Sequence, residues 1–198
     1  GDILRIEIHE MAYAFNCPAD SALWNTIFVN YKIINRSNNT YDSTYIGING
    51  DFDIGQFDDD YIGCDVQRGS FYGYNSNNND MAYGAYPPAQ SITILKGPLT
   101  DPDSVDNPKG DCDASVNGVG FGDGITDNES WGMGRFVSFP LDAPSNVVHY
   151  YNYLKGIWKD GSKMRYGGNG HISGCTSCEY ANFMFPGSMT FPQETDSC

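Results

Sequence analysis

Residues 26–35, TIFVNYKIIN, are rich in β-branched and aromatic side chains and predict a central strand. The turn formers NRSNN follow, and STYIGI at residues 43–48 predicts a return strand, so we expect these two segments to form a hairpin. Residues 3–15, ILRIEIHEMAYAF, begin with alternating apolar and polar side chains, which is typical of a half-buried strand.

Three further short strands are predicted, at residues 69–74, 91–97 and 134–140. One helix is predicted over residues 146–158, with Ser145 as its N-cap. Its apolar side chains recur at helical spacing and indicate an amphipathic helix; they are Val147, Val148, Tyr151, Leu154, Ile157 and Trp158.

The chain contains no internal repeat and no clear linker, so we expect residues 1–198 to form a single domain. The fold predicted is mainly β: an antiparallel β-sandwich of the jelly-roll kind with one amphipathic helix. The strands are separated by long loops, which are uncommon in compact domains unless something holds them. Disulfides and bound metal are the expected means of holding them.

The net negative charge of the chain argues against some classes of binding partner. The chain has 25 acidic and 11 basic residues, for a formal net charge of −14. Such a surface repels nucleic acid and anionic membranes. No apolar run approaches the roughly 20 residues of a membrane span, so membrane insertion is not expected. The first residues begin no signal peptide, and we expect a mature form or one part of a longer protein.

Aspartate is concentrated in two stretches, residues 51–65 (the first acidic segment) and residues 101–127 (the second acidic segment), which hold 13 of the 20 aspartates. Short carboxylates on turning backbone are typical of calcium loops, whereas the alternative is a solvated acidic surface. The string GDGITDNE also resembles half an EF-hand, without its full spacing. The predicted calcium ligands are Asp51, Asp53, Asp58, Asp59 and Asp60, and a second group of Asp111, Asp113, Asp123, Asp127 and Glu129.

Cysteine number and spacing favour disulfides and an oxidising compartment. The candidates are Cys17, Cys64, Cys112, Cys175, Cys178 and Cys198, and the sequence does not choose among their pairings. Only Cys175 and Cys178 have zinc-ligand spacing, with His171 as a third ligand and no evident fourth.

Catalytic signals are weak. No nucleophile elbow is present, and a thiol nucleophile beside His171 is a minor alternative. A hydrolase that uses loop carboxylates is a further alternative. Aromatic side chains beside Asn-rich loops also fit a carbohydrate-binding surface, although such rings more often fill a core; they are Tyr72, Tyr74, Tyr83, Tyr86, Tyr150, Tyr151, Tyr153, Trp158 and Tyr166.

Four stretches are the basis of a family resemblance: YIGINGDFDIGQFDDDYIGCDVQRG, GFGDGITDNESWGMGRF, YYNYLKGIWKDGSKMRYGGNG and ANFMFPG. They resemble a region of large secreted Bacteroidota surface proteins that bear C-terminal sorting domains for type IX secretion. The resemblance covers most of residues 26–187, and implies export and extracellular or cell-surface residence, but no defined chemistry. It also implies O-glycosylation at Asp-Ser motifs, with Ser21, Ser43 and Ser104 as candidates.

The function predicted is that of a non-enzymatic extracellular module, stabilised by calcium and disulfides, that serves cell-surface adhesion or assembly. An exposed sheet edge would let it form homo-oligomers or a fibre by strand addition. The first alternative is a carbohydrate-binding module with a glycan ligand, and the second is a hydrolase.

Overall fold

In a computed structural model of the chain, residues 3–110, 114–139, 143–166 and 170–185 are described. The protein is mainly β, with antiparallel sheets and two short helices. The chain divides into two compact units, Gly1–Thr44 and Tyr45–Cys198. The single-domain organisation stays a prediction.

The first unit contains β1 (Ile6–Ala14), α1 (Ser21–Trp24) and β2 (Ile27–Asn35). The strands pair antiparallel over their full length, from Ile6 opposite Asn35 to Ala14 opposite Ile27. The expected partner of β2 was residues 43–48, and that prediction is wrong, because those residues form no strand. β2 is also not central, since among the described residues its sheet has two strands.

Helix α1, which the sequence analysis did not predict, joins the two strands. The side chain of Asp20 caps it by accepting the backbone N–H groups of Ala22 (3.0 Å) and Leu23 (3.3 Å). The predicted burial of β1 is also wrong. Ile8 opposes Ile33, and Ala12 opposes Val29, so these apolar side chains share one face. That face is exposed: Ile8 is 60 % and Ile33 46 % accessible.

The second unit begins its regular structure with a short 3-10 helix, Phe57–Asp59. A three-stranded antiparallel sheet follows in the order β3 (Asp60–Asp65), β4 (Ser70–Asn75) and β7 (Ala89–Thr93). The short strands β5 (Asn79–Asp80) and β6 (Gly84–Ala85) pair with each other. The strand predictions at 69–74 and 91–97 are thus confirmed with shifted ends. Strand β3, which follows the densest acidic run, was missed.

Helix α2 (Val147–Leu154) confirms the predicted helix but not its bounds or its buried face. Its N-cap is Asn146 rather than Ser145; its C-cap is Lys155, and Gly156 follows with φ +68°. The buried helical residues are Asn152 and Tyr153. The predicted inward side chains of Val147, Val148, Tyr151 and Leu154 are exposed.

Two groups of buried side chains form the core of the second unit. One consists of Cys64, Phe71, Met133 and Phe183 beneath the three-stranded sheet, and the other of Tyr153, Trp158, Met164, Ala181 and Met184. The predicted strand at 134–140 is reduced, in its described part, to an isolated bridge between Phe136 and Phe183. Neither described helix is long and apolar enough to cross a membrane.

Candidate metal-binding loops

In the first acidic segment, Asp59 and Asp60 turn partly inward at the start of β3. Asp60 Oδ2 accepts the backbone N–H of Ile54 at 2.7 Å. Asp59 Oδ2 accepts weak hydrogen bonds from Ser76 Oγ and Asn77 Nδ2, both at 3.4 Å. The remaining oxygens, Asp59 Oδ1 and Asp60 Oδ1, are buried without a hydrogen-bond partner among the described residues. A buried carboxylate oxygen without a partner is costly, so this pair is the most ligand-like feature of the segment.

The other carboxylates of this segment point outward. Asp51, Asp53 and Asp58 are exposed, and Asp58 Oδ1 accepts the side-chain amide of Gln56 at 2.7 Å. Asp65 forms an ion pair with Arg68, the basic residue that follows the segment. The five predicted ligands therefore do not face one point as a group.

Asp80 is a site residue that the sequence analysis missed. It is 3 % exposed, and its carboxylate accepts the backbone N–H groups of Gln56 (2.9 Å), Ala82 (2.8 Å) and Tyr83 (2.7 Å). The hydrogen bond from Gln56, followed by that from Tyr83, lowers the pKa of this carboxyl. Asp80 thereby ties the first acidic segment to β5. Its position at the end of the polar run NSNNND was the available signal.

Carboxylates of the second acidic segment hold its own backbone in shape. Asp127 Oδ1 accepts the N–H groups of Asp103 (2.7 Å) and Ser104 (2.8 Å). Asp106 accepts the N–H groups of Gly122 (2.8 Å) and Gly124 (2.6 Å). These bonds connect positions 16 to 24 residues apart and cross-link the long loop without regular secondary structure.

The half EF-hand string does not act as one ligand group. Asp123 Oδ1 accepts the N–H of Ile125 at 2.9 Å, and its Oδ2 accepts the side-chain amide of Asn128 at 3.0 Å. Asp127 and Glu129 bind elsewhere along the residue 101–107 stretch. Proximity in sequence therefore did not translate into convergence in space.

Glu129 is the most buried acidic residue described, at 1 % exposure. Its Oε1 accepts the backbone N–H of Asn107 at 2.7 Å, whereas Oε2 has no hydrogen-bond partner among the described residues. Two oxygens of the adjacent residues, Asn128 Oδ1 and Ser130 Oγ, are also buried without a hydrogen-bond partner among the described residues. Three consecutive residues thus carry polar atoms whose hydrogen bonds are not made within the described protein.

Within the described ranges, no group of three or more His, Cys, Asp or Glu side chains is arranged to hold a metal ion. Asp111 and Asp113 lie outside the described residues. The calcium prediction therefore stays a prediction, and any site built here needs neutral oxygens besides one or two carboxylates.

Cysteine placement agrees with the sequence analysis at one pair. Cys175 and Cys178 form a disulfide, which takes both thiols away from the zinc alternative. Among the described residues Cys17 forms no disulfide, and its candidacy for a bridge stays a prediction. Cys64 is fully buried, and its Sγ lies 3.3 Å from the carbonyl oxygen of Met184. Cys112 and Cys198 lie outside the described residues.

A hydrogen-bonded chain of Ser173, His171 and Asp160 lies beside this disulfide. His171 contacts Ser173 Oγ through Nδ1 at 2.8 Å and Asp160 Oδ2 through Nε2 at 2.9 Å. The backbone N–H of Ser173 also donates to Nδ1, at 3.2 Å, as in a local turn. The two cavities described below, beside the first acidic segment and beside residues 99–108, are lined by other residues. We therefore interpret it as a structural link.

The aromatic side chains divide into two classes. Tyr153 and Trp158 are buried and Tyr166 packs against them, as a core role requires. Tyr72 is half-buried, and the other five are exposed: Tyr74, Tyr83, Tyr86, Tyr150 and Tyr151. A cavity of about 490 Å³ adjoins the first acidic segment, lined by Gly55, Gln56, Phe57, Asp58, Met81 and Ala82. Phe57 on its rim is 71 % exposed.

The three serines of the Asp-Ser motifs are all exposed. Ser21 opens α1 directly after its capping aspartate. Ser43 and Ser104 occupy left-handed backbone at φ 54° and 65°. Their positions on loops and at a helix start make them accessible to a modifying enzyme.

Comparison of the chain with protein-family models, curated proteins and solved structures finds no match.

Proposed function

We propose that this chain is a non-enzymatic extracellular module, stabilised by calcium and disulfides, that serves cell-surface adhesion or assembly. The same observation, in the first acidic segment and just after the second, carries the proposal. Asp59 Oδ1, Asp60 Oδ1 and Glu129 Oε2 are buried carboxylate oxygens without a hydrogen-bond partner among the described residues.

Such oxygens favour a cation on physical grounds. Removing a carboxylate oxygen from water without a partner costs free energy, and a hard divalent cation offsets that cost better than a neutral donor does. The formal charge of −14 adds a general attraction for cations. Oxygen donors alone select calcium over zinc or copper.

Thermal unfolding of the oxidised chain, with calcium and then with excess EDTA, tests this part. At a calcium concentration a thousandfold above Kd, binding to the folded state raises the free energy of unfolding by about 4 kcal/mol. This corresponds to a rise of roughly 10 °C in Tm. We expect Tm to fall by this amount in EDTA and to recover when calcium is added back. An unchanged Tm, together with elemental analysis that finds no calcium, would refute the calcium role.

Exposed apolar surface supports assembly. In the first unit, the β1–β2 sheet carries Ile8, Ile27, Val29, Tyr31 and Ile33 on one exposed face. A two-stranded sheet alone is marginally stable in water, and exposed apolar faces commonly mark interaction sites. Both edges of this sheet also offer unpaired backbone groups to an added strand, within the described residues.

Light scattering and analytical ultracentrifugation over a concentration series test assembly. We expect particle mass to rise with concentration. Val29→Lys places a charge on the exposed face and should suppress the rise, whereas Lys32→Glu, on the opposite face, should not. A monomer at all concentrations would contradict self-assembly and leave only adhesion to another partner.

Extracellular residence is supported by the Cys175–Cys178 disulfide and by the resemblance to secreted Bacteroidota proteins. Exposure of Ser21, Ser43 and Ser104 is compatible with the glycosylation that this resemblance implies. Mass spectrometry of the protein from its native source tests both. Peptides with an intact disulfide and a glycan on at least one of these serines are expected, and unmodified peptides with free thiols would contradict the assignment.

A sandwich is part of the proposal. One face of the β3–β4–β7 sheet packs Phe71 and Cys64 against Met133 and Phe183, which belong to irregular segments. These segments would supply the second layer of a jelly-roll-like arrangement. An experimental structure of the chain with calcium tests whether they pair as strands there.

Carbohydrate binding is the second candidate. The cavity beside Phe57 combines an exposed ring with the polar side chains of Gln56 and Asp58, the combination that sugar recognition uses. A glycan array with the wild-type chain and Phe57→Ala tests it. Glycan binding that the substitution abolishes supports this candidate. An array without binding contradicts it, and the exposed rings are then better explained by assembly.

A further inference from the structure

Among the observations behind the proposed function, the burial of Glu129 is the one most closely tied to a single place in the fold. Its side chain is 1 % exposed, yet only Oε1 is hydrogen-bonded, to the backbone N–H of Asn107 at 2.7 Å. Oε2 has no hydrogen-bond partner among the described residues. Aspartate at this position would not reach equally far, because its side chain is one methylene shorter.

Residues 99–107 contact both the backbone and the side chain of Glu129. Its backbone carbonyl accepts the N–H of Thr100 at 2.9 Å, and Leu99 forms a bridge with Ser130. At the other end, the Asn107 backbone binds the Glu129 carboxylate. The loop therefore contacts both the backbone and the carboxylate of this one glutamate.

A cavity of about 440 Å³ adjoins residues 99–107. Thr100 and Asn107, the two residues bonded to Glu129, both line it. Asp101 and Asp103 line it as well, and Asn107 Nδ2 lies 3.3 and 3.4 Å from the two carboxylate oxygens of Asp103. The cavity wall thus carries two exposed carboxylates, and Asn107 in that wall is hydrogen-bonded to a third, buried carboxylate.

Within the described ranges, no Lys, Arg or His side chain forms an ion pair with Asp101, Asp103 or Glu129. Among the described residues, the ion pairs of the protein involve other carboxylates: Glu7, Asp65 and Asp160. The loop also holds neutral oxygen donors of the kind that complete a calcium shell, namely the backbone carbonyls of residues 99–107 and the Thr100 hydroxyl.

We propose that Glu129 Oε2 is the inner ligand of a calcium site that Asp103 and neutral oxygens of residues 99–107 complete. This inference rests on the calcium part of the proposed function and gives it a location. It keeps Glu129 from the ligand group predicted from sequence, whereas Asp123 and Asp127 are engaged with Ile125, Asn128 and the backbone of residues 103–104. Calcium accepts six to eight oxygens with few carboxylates, which suits this donor set better than the strict octahedron of magnesium.

Calorimetric titration of the chelator-stripped full chain with calcium chloride tests the site. Glu129→Gln keeps the side-chain shape and an acceptor for the Asn107 N–H, but removes the charge. We expect it to weaken one calcium site by roughly tenfold or more. Asp103→Asn, a substitution on the exposed rim that keeps Oδ1, should weaken the same site even if Glu129→Gln folds poorly. Glu179→Gln makes the same chemical change at an exposed glutamate and should bind as the wild type does.

The outcomes separate this inference from the proposal beneath it. Loss of one site in Glu129→Gln and Asp103→Asn, with Glu179→Gln unchanged, supports the location. Wild-type binding that both substitutions leave intact overturns the location alone, since calcium then binds elsewhere. A wild-type chain that binds no calcium overturns both the location and the calcium role.

Discussion

Gly55 lies directly against the carboxylate of Asp80: a Cβ placed on Gly55 would be 2.0 Å from Asp80 Oδ1. Gly55 also has φ +76°, a backbone conformation that disfavours every residue with a Cβ. The contact joins the first acidic segment to the buried carboxylate that accepts the backbone N–H groups of Gln56, Ala82 and Tyr83.

Gly55→Ala should therefore destabilise the fold by about 2–4 kcal/mol, from backbone strain and displacement of Asp80. Urea unfolding measures the loss. Gly122→Ala is the matched control, because φ is +67° there but nothing lies within 4 Å of the added Cβ. We expect about 1 kcal/mol for the control. Equal losses of stability in the two variants would show that the contact with Asp80 does not contribute to stability.

Phe183→Ala should destabilise the second unit by about 3–5 kcal/mol, because it empties the centre of the core beneath the three-stranded sheet. Phe183 is 1 % exposed and packs with Cys64, Phe71 and Met133. Phe57→Ala, at a side chain that is 71 % exposed, should change stability by no more than about 0.5 kcal/mol. Denaturant titration compares them, and a small loss for Phe183→Ala would mean that this core is loosely packed.

Acid sensitivity should depend on Asp160. Hydrogen bonds from the side chain and backbone of Ser162, and then from His171, lower the pKa of Asp160 from 3.8 to about 2. A folded-state pKa below the unfolded value adds stability above pH ~4, and that stability disappears as the pH falls towards 2. Asp160→Asn should flatten the decline of Tm across this window.

Ser162→Ala removes the largest cause of that pKa shift and should flatten the same curve by a smaller amount. Because the Asp160 side chain is about half exposed, solvent screens its interactions and the effect on Tm should be modest. Curves for wild type and Asp160→Asn that run parallel from pH 5 to 2 would contradict the assignment.

Reduction of the Cys175–Cys178 disulfide should cost about 2 kcal/mol, the chain-entropy value for a loop this short. Thermal melts with and without a reductant measure the change. The double variant Cys175→Ser, Cys178→Ser should melt lower than the oxidised wild type and respond less to reductant. A double variant as stable as the oxidised wild type would show that the bridge does not stabilise the fold.

Local patterns predicted strands where side-chain propensity was strong. The β-branched run at 26–35 and the aromatic run at 69–74 both became strands, because their side chains favour extended backbone. The partner of β2 could not be read from sequence. Residues 43–48 were closer along the chain, yet residues 6–14 pair with β2 over its full length.

The helix shows the same division. Apolar spacing predicted α2 correctly, but the buried residues are Asn152 and Tyr153, on a different side from the predicted stripe. Asn152 is buried because its side-chain amide donates to the Lys159 carbonyl at 3.1 Å, a contact that hydrophobic periodicity does not register.

The sequence by itself determined the β-rich class, the aspartate-rich segments and the close spacing of Cys175 and Cys178, since each follows from composition or local backbone preference. Only the tertiary structure decided what each carboxylate binds. Glu129 binds the backbone of Asn107, and Asp127 binds that of Asp103, across 22 and 24 residues. Those partners depend on how the loop folds back, and residue spacing along the chain does not encode that path.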